Sequence, residues 1–96
     1  MSFPVTTMTH TGTTVSTSSV TIAAASAQRT YLMIQNQGSV AVYIRLDGGT
    51  AVADKSALRL LPGESYEVVG FLPASLVTAI AASSCDVHVV AGAPPA

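Results

Sequence analysis

The stretch Arg29-Thr30-Tyr31-Leu32-Met33-Ile34-Gln35-Asn36-Gln37-Gly38-Ser39-Val40-Ala41-Val42-Tyr43-Ile44-Arg45-Leu46 decides the fold class. Apolar side chains recur at every second residue on both sides of a polar break, and a period of two belongs to half-buried strands. Leu32 and Ile34 share one face, with Tyr31, Met33 and Gln35 on the other. Beyond the break, Val40, Val42, Ile44 and Leu46 point inward while Ala41, Tyr43 and Arg45 point outward. Asn36-Gln37-Gly38-Ser39 has the chemistry of a tight reversal, so the two strands are expected to pair as a hairpin.

The same reading extends downstream. Asp47-Gly48-Gly49 stops the second strand, because Asp-Gly and Gly-Gly accept the positive φ that strands exclude. Residues 57–61 form a further strand, and Pro62-Gly63 turns the chain into residues 64–69. Residues 76–82 and 85–91 are separated only by Ser83-Ser84 and are expected to form another hairpin. Residues 92–96, Gly-Ala-Pro-Pro-Ala, read as a polyproline-like end that cannot join a sheet. Upstream, residues 20–23 make a short first strand. Two alanine-rich segments invite a helical reading, but residues 23–27 are too few to nucleate one, and residues 76–82 carry Val77, Thr78 and Ile80. The expected fold is therefore all-β, a single small antiparallel β-sandwich or barrel of about 7–8 short strands.

Residues 1–19 differ in kind. From Ser2 to Thr21 there are twelve Ser and Thr, and the whole of residues 1–28 contains no Lys, Arg, Asp or Glu. Such a segment reads as an extended hydroxylated arm, ordered only where it lies on something. Three segments follow from this: an arm at 1–19, a sandwich at 20–91 and a Pro-rich tail at 92–96.

Composition narrows the function. Ninety-six residues hold one domain, and only 9% of them are charged against about 25% in an ordinary soluble domain. Ser and Thr account for 22 residues and supply much of the hydration. Arg29, Arg45, Lys55 and Arg59 are scattered and give no basic stripe, so nucleic acid is not an expected partner. No apolar run reaches the roughly 20 residues that span a bilayer, and the longest, 71–82, is broken by Pro73. The N-terminus lacks the charged and apolar regions of a signal peptide, and the single cysteine, Cys85, makes no intrachain disulfide; both fit synthesis in a reducing cytosol.

Catalytic groups are few. Cys85-Asp86-Val87-His88 places a thiol near an imidazole, the pairing used by cysteine hydrolases, but odd spacing on a strand sends the two to opposite faces. No Gly-Xaa-Ser-Xaa-Gly elbow supports a serine nucleophile. His10 and His88 lie far apart in the chain without metal-ligand spacing, and Asp47 and Asp54 are better explained by turn formation than by a cation. Glu64 and Glu67 also face oppositely, which leaves no paired-carboxylate site. No catalytic residue, metal or cofactor is expected, and a small-molecule ligand is not. The candidate contact residues are Phe3, Val5, Met8 and Val15 of the arm with Tyr43 and Arg45 of the outward strand face, chosen because exposed apolar, aromatic and Arg side chains are favoured at interfaces.

The order of these pieces resembles a group of small β-sandwich structural proteins of tailed bacteriophages. The resemblance lies in the Arg-Xaa-Tyr-Leu-Xaa-Ile-Gln-Asn strand at 29–36, the Val-Tyr-Ile strand running into a Gly-Gly loop at 42–49, the Pro-Gly turn into Ser-Tyr-Glu at 60–67, and the Ala-Ile-Ala-Ala-Ser segment before a Val-Xaa-Val strand at 79–89. It covers residues 20–91 and omits the arm. The resemblance implies a virion component on the capsid exterior, made in the host cytoplasm: a cement or decoration protein that binds neighbouring major-capsid subunits and associates with itself, a trimer suiting the local threefold positions of capsids. The alternatives are a tail- or fibre-associated module, or a receptor- or carbohydrate-binding domain, although the chain has no Trp and three Tyr.

Overall fold

A computed structural model describes residues 7–26, 29–68 and 74–93. Eight strands run in the order β1 (Thr7–Val15), β2 (Val20–Ala23), β3 (Tyr31–Asn36), β4 (Val42–Arg45), β5 (Leu58–Leu60), β6 (Ser65–Glu67), β7 (Val77–Ala81) and β8 (Cys85–Ala93). No helix occurs among the described residues. The strands form two four-stranded antiparallel sheets, ordered β1-β8-β3-β6 and β2-β7-β4-β5. The chain changes sheet at every connection except β4 to β5, which is the path of a jelly roll. The fold is the all-β sandwich that the alternation predicts.

The side-chain directions also agree. Along β3, Leu32, Ile34 and Asn36 are buried while Tyr31, Met33 and Gln35 are half-buried; along β4, Val42 and Ile44 are buried. With Val15, Ile22, Leu60, Val68, Val77, Ala79, Ala81, Cys85, Val87 and Val89 they form one core between the sheets. A side chain such as Leu32, fully buried here, contributes about 2–5 kcal/mol relative to alanine.

The strand partners differ from the expected hairpins. β3 pairs with β8 and β6, whereas β4 pairs with β7 and β5. β7 and β8 likewise lie in opposite sheets, as do β5 and β6. In a hairpin the stripes Leu32/Ile34 and Val42/Ile44 would sit side by side and still need a cover. Crossing to the opposite sheet sets the two stripes face to face, so each buries the other.

Asn36 makes the crossing at residues 36–40 a corner. Its side chain is 1% exposed. Nδ2 donates to the carbonyls of Val40 and Leu60 at 2.8 and 3.0 Å, and Oδ1 accepts the Gly38 N–H at 2.9 Å. Gly38 is required there, because a Cβ at that position would overlap Cys85 Sγ and lie 3.1 Å from Cys85 Cα. The corner after β5 is a type II turn: Pro62 precedes Gly63 at φ 82°, and Glu64 N–H donates to the Leu61 carbonyl at 3.0 Å.

The arm reading is corrected as well. Residues 7–15 are β1, in unbroken register with β8 from Thr7 opposite Ala93 to Val15 opposite Cys85. The surface on which this segment lies belongs to its own chain, so the sandwich begins well before residue 20. Gly92 and Ala93 are part of β8, with Gly92 opposite both Met8 and Tyr31. The rest of the expected tail, residues 94–96, lies outside the described residues.

Candidate functional site

On β1 the even-numbered residues face away from the core, and the register lays them beside the outward residues of β8, β3 and β6. Two rows cross the whole sheet: His10, Val90, Met33 and Glu67, and next to it Gly12, His88, Gln35 and Ser65. Met8, Gly92 and Tyr31 flank one side, Thr14 and Asp86 the other. Among the described residues of these strands, this face contains no Lys or Arg.

Hydrogen bonds tie the face together. Thr14 Oγ1 donates to Asp86 Oδ1 at 3.0 Å, and the Tyr31 hydroxyl donates to Glu67 Oε2. That bond to a carboxylate pushes the Tyr31 hydroxyl above the ordinary tyrosine range. His10 Nδ1 lies 2.8 Å from His88 Nε2, with ring centroids 5.0 Å apart. The two rings are diagonal neighbours, since Gly12 lies directly opposite His88 and Val90 directly opposite His10. Val90 is only 7% exposed although Val89, beside it in sequence, is the one that enters the main core. Met8, at 45% exposure, is the outermost apolar side chain of this face.

The opposite sheet carries most of the positive charge. Tyr43 lies opposite Arg59, and Arg45 binds Asp47 through both Nε and Nη2, at 2.8 and 3.1 Å. The Arg45 guanidinium, helped by the Gly49 N–H, holds the Asp47 carboxyl below the usual carboxylate range. Asp54 is lowered too, by hydrogen bonds from the Ser56 hydroxyl and N–H.

A groove of about 330 Å³ opens at one end of the sandwich, lined by Thr11, Ile22, residues 23–26, Arg29, Val89, Ala91 and Gly92. Arg29 is 8% exposed, and its guanidinium donates to the carbonyls of Ala24 and Ser75. Desolvation lowers its pKa from the free arginine value. The guanidinium thus bridges the β2–β3 connection to the segment that leads into β7, assisted by Ser26 N–H to Ala74 O at 2.8 Å. Its work is at the corner of the fold.

The residues expected to form one contact surface are not brought together. Met8 faces outward from the first sheet, Tyr43 and Arg45 from the second. Val15 is corrected outright: it is fully buried and belongs to the core, because the last residue of β1 points inward opposite Cys85. Phe3 and Val5 lie outside the described residues. Cys85 and His88 do face opposite ways. Cys85 is buried, its Sγ donating to Asn36 Oδ1 at 3.1 Å and to the Val40 carbonyl at 3.4 Å, while His88 meets His10. Sequence reasoning missed the histidine pair because it treated residues 1–19 as separate from the sheet; a β1–β8 pairing was the one signal that could join two residues 78 apart. Among the described residues no three His, Cys, Asp or Glu side chains converge as metal ligands.

No family model matches the chain, and no curated protein does. Among solved structures it is similar to a protein of the Bacillus endospore appendages, described as a novel family of disulfide-linked pili, with a TM-score of 0.55, 16% identity, and coverage of 96% of this chain and 88% of that one. The likeness is one of fold.

Proposed function

We propose that this chain is a structural assembly subunit, which acts by packing against neighbours in an ordered array and not by turning over a substrate. The observation that carries the reading is β1, a nine-residue strand at the edge of its sheet that bears no formal charge. Edge strands of that length are ordinarily blunted by Lys, Pro or a bulge, because their free backbone groups invite another chain. Here none of those devices interrupts residues 7–15. The outer face beside it, which carries Met8 and Met33 and no Lys or Arg among its described residues, extends the same surface.

The specific form of the proposal is capsid decoration: a cement protein on the virion exterior that bridges major-capsid subunits and associates with its own copies. Its support is the resemblance of residues 20–91 to phage β-sandwich proteins. The pilus-protein likeness supports the broader reading, a sandwich suited to repetitive assembly. A disulfide-linked polymer is a poor fit to this chain, whose one cysteine is buried and hydrogen-bonded.

Quantitative mass spectrometry of purified particles tests the proposal. A decoration protein is present at hundreds of copies per capsid, a tail part at a few. Absence from particles, with filaments formed by the purified protein, would replace decoration by self-assembly.

A further inference from the structure

We infer that His10 and His88 form a two-histidine chelate for a divalent transition metal, which clips β1 onto β8. The two nitrogens that face each other, Nδ1 of His10 and Nε2 of His88, are 2.8 Å apart. Two imidazole ligands at about 2.0–2.1 Å from a metal and cis to one another stand about 2.8–3.0 Å apart in square-planar or octahedral geometry, and about 3.3–3.4 Å in a tetrahedron. The separation therefore matches a cis arrangement, which the pair reaches by turning the two rings until their lone pairs converge on the metal.

The proton inventory closes. Two neutral rings in hydrogen bond place one N–H between the facing nitrogens. For both to ligate, that ring carries its proton on its other nitrogen instead, and both lone pairs meet the metal. No proton is released, and the displaced N–H is satisfied by solvent, since His10 is exposed and His88 half-buried. Gly12, directly opposite His88, leaves the approach open: nothing lies within 4 Å of where its Cβ would be. Asp86, two residues along β8 on the same face, accepts from Thr14, and water completes the coordination sphere.

Imidazole pairs select borderline metals, with Cu²⁺ above Ni²⁺ and Zn²⁺, and disregard Mg²⁺. The consequence is structural, because the ligands are 78 residues apart and stand on adjacent strands. A ligand bound only by the folded state raises its thermal midpoint, by roughly 10 °C in a domain of this size at a hundredfold excess over Kd.

The test uses the untagged full chain. Calorimetric titration with NiCl2 is expected to give one metal per chain, with a raised Tm, and MgCl2 neither. His10→Ala and His88→Ala, each checked for wild-type circular dichroism and melting without metal, are expected to lose at least tenfold in affinity and the whole Tm shift. Nickel binding retained in both variants overturns the site, as does the absence of saturable binding to the wild type. One nickel shared by two chains overturns the intrachain clip.

Discussion

Replacing Asn36, itself 1% exposed, with alanine removes the donor to the Val40 and Leu60 carbonyls and the acceptor for the Gly38 N–H, the Leu60 bond being fully buried and the other two partly so. Unmet buried polar groups cost about 1–3 kcal/mol each, so Asn36→Ala is expected to destabilise by about 3 kcal/mol in urea unfolding, a large share of a small domain's stability. Gly38→Ala tests the adjacent approach. Its methyl would overlap Cys85 Sγ, with a cost of about 2 kcal/mol, and the cost should fall by at least about 0.5 kcal/mol in a Cys85→Ala background. Only part should be recovered, because the Cys85 backbone crowds the same point. At the surface, Arg45→Ala is expected to return the Asp47 carboxyl titration, followed by NMR, toward the ordinary value. The sign follows from a pKa lowered by folding: what the pair contributes is present above the usual carboxylate range and lost as pH falls through the lowered value. Asn36 was legible as a turn former at the end of a strand. Its burial was not, because a turn residue becomes a core residue only when the turn crosses between sheets.

Strands with one wet and one dry face were readable from the sequence, since alternation in 31–36 and 42–45 reports directly on burial. Partner choice was not. Alternation states which residues face the core and is silent about which neighbour lies alongside, so short polar breaks at 36–39 and 83–84 looked like hairpins and proved to be corners. β1 had no alternation to read, because only Val15 of its nine residues is fully buried. That composition has a dynamic consequence. β1 is held by its backbone ladder to β8 more than by side-chain burial, so its amides at 8–12 are expected to exchange hydrogen faster than those of β3 and β8. Equal protection across all three strands would show β1 to be part of the cooperative unit. Truncation at the N-terminus divides at β1: removing residues 2–6 preserves the strand, whereas removal through residue 19 takes it away and exposes the edge of β8.

At the scale of the fold, β4 with β5 is the sole pair of sequence neighbours that share a ladder among the described residues; every other pairing there joins distant segments. Loop closure must precede nearly all stabilising contacts, and refolding in stopped flow is expected in the millisecond-to-second range, slow for 96 residues. The charge distribution is also a property of the whole. Three of the four basic residues, Arg45, Lys55 and Arg59, lie on β4, β5 or the loop between them, away from the β1 edge. If that edge mediates assembly, Thr9→Lys should weaken self-association in analytical ultracentrifugation while a lysine at Ser56 should not. The strand pairing that places Thr7 beside Ala93 also fixes how the sandwich bears a pull. A load that enters at one of these residues and leaves at the other peels β1 from β8 pair by pair, as a zipper opens, and meets little resistance at any instant. A neighbour that instead gripped β1 along its free edge would spread the same load over many backbone bonds at once.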